Sequence, residues 1–350
     1  MESAAFLEGL LSIPSPSGRE DAVADSLVRQ MGAMGFQAWR DEAGNALGVV
    51  GNPAAERTIL LLGHMDTVAG DIPVHWERDR LYGRGAVDAK GPLAAFVLAA
   101  ARVAPELSDA RILVVGAVEE EAHSRGAHHL KESLPVPWCV LIGEPSGWQG
   151  ITLSYKGALS VEYRLTLPNR HAAGQGATPA EEAVAFWNRL SAYVGEVNGG
   201  EGQRFDTLDA SLRAIQTLND GLQSQVEMAI DVRLPPGSDP QALQCQMRSW
   251  VNGARLSFPY QEPPYLGEKN TPPVRSLLRA IREAGGAPRF KVKTGTSDMN
   301  VVGAVWDCPM VAYGPGDSAL DHSPDEHIEI GEFERGIEVL SRALALLARG

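Results

Sequence analysis

The chain has 350 residues, 44% of them apolar and 21% charged, with a formal net charge of −13 at neutral pH. That length suits two domains with a sizeable core, and the acidic balance disfavours nucleic acid or an anionic membrane as the main partner. The three cysteines, Cys139, Cys245 and Cys308, are scattered and show no CxxC spacing, which speaks against a disulfide framework and against a structural zinc site.

In chain order, Met1-Glu2-Ser3 is acidic and carries no basic stretch followed by an apolar run, so no signal peptide is expected. Residues 20–34 have helical periodicity that ends near Gly35. Three short continuous apolar runs follow, at 58–62, 112–115 and 139–142, of the kind buried on both faces of a sheet. Between the first two, residues 92–104 are rich in Ala and Leu with Pro92 near the start, a helix signal. The longest apolar stretch, Leu93 to Val103, is well short of a membrane span, and a cytoplasmic location is expected. This first part reads as an α/β layer fold.

The pattern changes near Lys156-Gly157. Residues 160–167 alternate apolar and polar, a helix is expected from Thr178-Pro179 to Val194, strands at 210–218 and 225–234, and a helix after Asp239-Pro240. Such an arrangement predicts a small α+β sandwich, with one open sheet face, that ends near Pro263-Pro264. The α/β pattern then resumes, with a helix at 273–283 and a last one after Phe333. The expected domains are 1–155 and 265–350 for one α/β unit, and 156–264 for a second inserted into it.

Each of the three apolar runs ends in groups able to hold a metal: Gly63-His64-Met65-Asp66 after the first, Glu119-Glu120-Glu121 after the second, and Gly143-Glu144-Pro145-Ser146 after the third. In open α/β sheets, ligands collect beyond the carboxyl ends of the strands. Asp88 adds a carboxylate from a Gly-rich loop just before a helix. Imidazole with carboxylates suits Zn, Co or Mn better than Mg or Ca. The set exceeds what a single catalytic zinc needs and matches a two-metal site with a bridging carboxylate; a spare glutamate can then shuttle a proton. Taken singly, each motif has a plainer reading: His64 as a loop histidine, the acidic triplet as a solvated turn, Asp88 as a turn or capping residue. Their order and placement together carry the inference.

With these motifs, and with Gly314-Pro315-Gly316 and Asp321-His322-Ser323-Pro324-Asp325-Glu326 near the C-terminus, the chain resembles the M20 metallopeptidase family over nearly its whole length. The resemblance implies a Zn-peptidase-like α/β/α catalytic domain with an inserted α+β, ferredoxin-like lid and dimerisation domain. It implies two divalent ions, Zn or Co, held by His64 and His322 on either side of a bridging Asp88, with Glu144 and Glu121 completing the shells. Asp66 would orient His64, and Glu120 would be the general base. The triplet leaves a register open. Gly126, five residues after Glu121, points to Glu121 as ligand and Glu120 as base, whereas a shift of one would make Glu119 the base and Glu120 the ligand. The Asp88-Ala89 peptide is expected to be cis.

In the inserted domain, Asn169-Arg170-His171-Ala172 resembles the family's lid segment, whose His reaches the partner's site across a homodimer interface to hold the oxyanion; Pro168-Asn169 stand where a glycine is common. Asn219 and Arg233 resemble lid residues that contact substrate, although a surface ion pair would explain Arg233 as well. Gly295-Thr296-Ser297 resembles the loop that accepts a substrate carboxylate. Within the family, residues 85–94 and 293–300 look most like the hydrolases that free lysine or ornithine from the γ-carboxyl of the C-terminal glutamate of an amino-group carrier protein. The alternatives are a deacylase of small N-acyl amino acids, of the acetylornithine or succinyl-diaminopimelate type, and a non-catalytic metal-binding scaffold. The presence of candidate bases and of Asp66 disfavours the scaffold.

Overall fold

The computed structural model describes residues 2–171, 176–200 and 203–349. Contacts divide the chain into two compact units, Met1–Ser154 with Gly267–Val292 and Ser297–Gly350, and Tyr155–Leu266 with Lys293–Thr296.

The first unit is built on a mixed sheet. Its strands run in the order Gln37–Arg40, Ala46–Gly51, Ala110–Ala117, Arg57–His64, Cys139–Gly143, Met310–Ala312 and Gly150–Tyr155. The four strands from Ala110–Ala117 to Met310–Ala312 are parallel neighbours, so their carboxyl ends lie along one edge. The expected apolar runs are these strands, and their side chains are buried on both faces. Alternation along the strand sends Ile59 and Leu61 into a core shared with helices Lys90–Val103, Pro272–Glu283 and Ile330–Ala348. It turns Leu60 and Leu62 the other way, and both are also buried. Arg125–Ser133 and Asp298–Gly303 are further helices against the sheet. The helix Glu2–Leu11 and the antiparallel strands Gln37–Arg40 and Ala46–Gly51 were not expected. The first of these strands has four residues, none of them buried, and so lacks a continuous apolar run. The last helix begins at Ile330, before Phe333.

The second unit follows the order strand, helix, strand, strand, helix, strand: Gly157–Pro168, Pro179–Asn198, Asp209–Asn219, Gln223–Leu234, Pro240–Arg248 and Arg255–Ser257. The first strand lies between the third and fourth in space and the second is at the edge, all antiparallel, which is the ferredoxin-like arrangement. Leu159, Val161, Tyr163 and Leu165 face the core while Glu162, Arg164 and Thr166 are exposed, a period of two. The long helix starts on a capping box between Thr178 and Glu181 and buries Ala183, Phe186 and Leu190 on one stripe. Asp239 caps the next helix by accepting the Gln241 and Ala242 N–H groups.

Candidate active site

His64 is the last residue of its strand, and the parallel pairing brings it level with Ala117, just before the acidic triplet. Its ring is buried, 1% exposed. Nδ1 lies 3.1 Å from the Asp66 carbonyl oxygen and 3.3 Å from Asp66 Oδ1, so Nδ1 carries a proton toward Asp66. Nε2 has no hydrogen-bond partner among the described residues, yet it faces Asp88 Oδ1 at 3.3 Å and Glu120 Oε2 and Glu144 Oε1 at 3.9 Å. Asp88 stands in the loop before helix Lys90–Val103, and its peptide bond to Ala89 is cis. Its second oxygen, Oδ2, is 3.1 Å from His322 Nε2, and that nitrogen is 2.9 Å from Glu121 Oε1.

These donors suit divalent ions. Two ligands bound at about 2.0–2.1 Å to one tetrahedral ion stand about 3.3 Å apart, which is close to the spacings between Asp88 and the two imidazoles. A buried imidazole nitrogen aimed at carboxylates without a hydrogen bond is the arrangement a cation would complete. One donor atom each from His64, Asp88 and Glu121 lies within 4.8 Å of the others.

Of the triplet, Glu120 and Glu121 turn inward, whereas Glu119, at φ 59°, pairs outward with Arg125 Nε at 2.7 Å. Gly126 permits the tight turn: a Cβ there would lie 2.2 Å from Asn45 Oδ1 and 2.6 Å from the Val118 nitrogen. The cluster is strongly acidic. Burial, with the charges of Glu144, Glu121 and Asp298, pushes the Glu120 carboxyl well above the usual range against the opposing pull of His64. Burial also raises Glu121, opposed by its hydrogen bond with His322. Burial acts the same way on Asp88, but the pull of the facing His322 and His64 imidazoles prevails and holds it well below the usual range. Hydrogen bonds to Asp88 and Glu121 push His322 up to about 10. Cations placed among these groups would relieve their repulsion.

Asp66 ties the parts together. Its Oδ1 accepts the Glu120 N–H and its Oδ2 the Glu121 N–H, both at 3.0 Å, and the Ser17 hydroxyl donates to Oδ2 at 2.7 Å. Glu20 Oε1 accepts the N–H groups of Gly18 and Glu119. Sequence reasoning missed Ser17 and Glu20; they precede the first sheet strand and carry no ligand spacing that would have singled them out.

In the second unit, Arg233 Nη1 donates to Thr296 Oγ1 at 3.2 Å, and Gly295 adjoins that threonine. Asn219 exchanges side-chain hydrogen bonds with Asn169 at 3.0 and 2.9 Å, and its Oδ1 accepts the Gly221 N–H in a hairpin turn. His171 is exposed; Ala172 lies outside the described residues. Ser297, in the first unit, is 2% exposed and heads the helix Asp298–Gly303: its hydroxyl accepts the Met299 N–H and its own N–H donates to Asn300 Oδ1. The Ser297 oxygen and N–H thus cap the helix, while the hydroxyl keeps its own proton to donate.

Residues 60–346 match the family model described as peptidase family M20/M25/M40. A LysW-lysine hydrolase of Deinococcus radiodurans is 46% identical over 348 residues, covering 97% of this chain and 95% of that protein. A putative LysW-lysine/LysW-ornithine hydrolase of Pyrococcus furiosus is 38% identical, covering 99% and 98%. Among solved structures, an M20 family metallo-carboxypeptidase of Sulfolobus solfataricus superposes with a TM-score of 0.81 at 20% identity, covering 100% of both chains. A dinuclear metal-binding M20 peptidase of Bacillus subtilis gives 0.71 at 14%, covering 99% of this chain and 96% of that one. The match along most of the chain, over the strands that carry the histidine and carboxylate cluster, places this protein in peptidase family M20/M25/M40, a family of hydrolases.

Proposed function

We propose that the chain is a two-metal amide hydrolase that releases lysine, or ornithine, from the γ-carboxyl of the C-terminal glutamate of an amino-group carrier protein, in lysine or arginine biosynthesis in the cytoplasm. The observation that carries the reaction class is Asp88, whose two oxygens face two different imidazoles at 3.3 and 3.1 Å. The names of the Deinococcus and Pyrococcus relatives support the substrate. No helix among the described residues is long and apolar enough to cross a membrane.

On this reading His64 and Glu144 hold one ion, His322 and Glu121 the other, and Asp88 both. The donor set suits Zn or Co. Two such ions, when bound, supply Lewis acidity that lowers the pKa of water and polarises a carbonyl. Glu120 takes the proton of the attacking water on a carboxylate oxygen and delivers it to the leaving amine. Asp66 keeps the His64 proton on Nδ1. Arg233, Thr296, Gly295 and Asn219 bind the substrate, with Arg233 suited to a carboxylate. Ser297 caps the helix that begins with Asp298 and donates its hydroxyl proton to the substrate. The protein works as a homodimer in which His171 of one protomer donates to the oxyanion in the other.

The test is to load the protein with zinc or cobalt and compare lysine release from a carrier-linked substrate with release from N-acetyl-lysine and N-acetyl-ornithine. Faster release from the carrier supports the reading. Preference for the acetylated amino acids makes it a small-molecule deacylase, and no hydrolysis of any of them overturns the enzyme.

A further inference from the structure

The C-terminal motif that supplies His322 ends in a carboxylate with no part in the mechanism above. Glu326 is completely buried, and a buried carboxylate is costly unless paired and hydrogen-bonded. Here it is both. Its Oε1 accepts the backbone N–H groups of Val87 at 3.0 Å and of Asp88 at 3.1 Å. Its Oε2 accepts Arg84 Nη1 at 2.8 Å. The same guanidinium reaches the carbonyl oxygens of Gly70 through Nε and of Ser323 through Nη1. The Glu326 carbonyl oxygen in turn accepts the Gly83 N–H. This junction sits at the end of a small sheet in which His327–Glu329 pairs with Arg80–Tyr82.

We propose that Glu326 is a positioning residue for the dinuclear centre, locking the backbone at Asp88 to the segment that carries His322. Asp88 faces both imidazoles, so the direction of its Cα–Cβ bond decides whether both of its oxygens reach their places. That direction depends on the peptide plane entering Asp88, and Glu326 holds that plane through the Asp88 N–H and the one before it through the Val87 N–H. Four residues upstream on the same segment is His322, itself at φ 60°, a conformation that surrounding contacts must maintain. One carboxylate therefore fixes the separation between the shared ligand and a terminal one. Arg84 provides the counter-charge and anchors the carboxylate from behind. Partners of ligands in metal sites commonly change metal affinity by about 10–100-fold when removed.

The inference rests on the dinuclear reading, so wild-type stoichiometry is measured first. The informative variant is Glu326→Gln. An amide has one acceptor and one donor end, so it must present NH2 either to the two backbone N–H groups or to Arg84. Metal-free protein is titrated with zinc alone, and the cobalt-loaded form is examined by visible absorption, at a temperature where circular dichroism shows the fold intact. The expected result is weaker binding of both ions, by about 10–100-fold, with an altered cobalt spectrum. The double variant Arg84→Met/Glu326→Gln removes the donor behind the amide, frees its oxygen for the two N–H groups, and should recover most of that loss. Glu326→Asp keeps the charge but withdraws it by one methylene, and should weaken both ions too; it stands in if Glu326→Gln does not fold. If wild type takes two ions and Glu326→Gln or Glu326→Asp binds them as tightly, changing only the melting temperature, Glu326 merely supports the fold and the proposal fails. A double variant no better than Glu326→Gln also overturns it. A wild type that takes fewer than two ions overturns the dinuclear reading itself, and this inference with it.

Discussion

Replacing Asp66 by Asn should weaken both the fold and the metal site, and the size of each effect can be worked from its contacts. The carboxylate is fully buried and accepts from the Glu120 N–H, the Glu121 N–H and the Ser17 hydroxyl, with His64 Nδ1 3.3 Å away. Asn has one acceptor oxygen. The better orientation keeps that oxygen on Glu120 and His64 and points NH2 toward Ser17, whose hydroxyl rotates to accept. The Glu121 N–H then faces a donor, and a buried unsatisfied N–H costs about 1–3 kcal/mol. The metal-free protein should lose that much stability in urea unfolding with chelator present. Although burial opposes it, the bonds to His64 hold Asp66 below its ordinary pKa of 3.8. A carboxyl depressed in the folded state contributes stability above its unfolded pKa and loses it as pH falls through the folded one. The gap between wild type and variant should therefore be full near neutrality and narrow below about pH 3.8. Because His64 also loses its carboxylate partner, zinc affinity should fall by about 10–100-fold. An Asp66→Asn protein with unchanged urea midpoint and unchanged zinc affinity would refute this account.

Three more expectations concern the chemistry. Glu120→Gln should keep two ions and substrate affinity while kcat falls by about 10²–10⁴-fold; Glu119→Gln, whose carboxylate is on Arg125, should stay near wild type, and an inactive Glu119→Gln with a Glu120→Gln that loses metal would make Glu119 the base and Glu120 a ligand. Asp88→Ala should lose both ions more readily than His64→Ala in metal counting by mass spectrometry, because one carboxylate serves two ions; independent loss of a single ion would count against bridging. Mixing His171→Ala with Glu120→Ala under verified subunit exchange should restore roughly a quarter of wild-type activity, since about half the dimers carry one complete site. No recovery would exclude His171 from acting across the interface.

Short apolar runs such as Leu60 to Leu62 were legible as strands, because a strand covered on both faces buries such a run. His64, the acidic triplet and Glu144 could be seen to follow those apolar runs, and parallel neighbours deliver their ends to one edge. The amphipathic periods of the middle segment announced a sheet with helices on one side. Tertiary structure alone decided which triplet carboxylates point inward. That depends on the φ of Glu119, on Arg125 drawing its side chain out, and on Asp66 holding the next two N–H groups. It also decided that Ser297 caps a helix and that Glu326 reaches back 238 residues to the Asp88 N–H. Side-chain chemistry is written locally, so donors and acceptors can be read from a string. The direction in which a carboxylate points is set by partners distant in sequence, and those meet only when the chain has closed on itself.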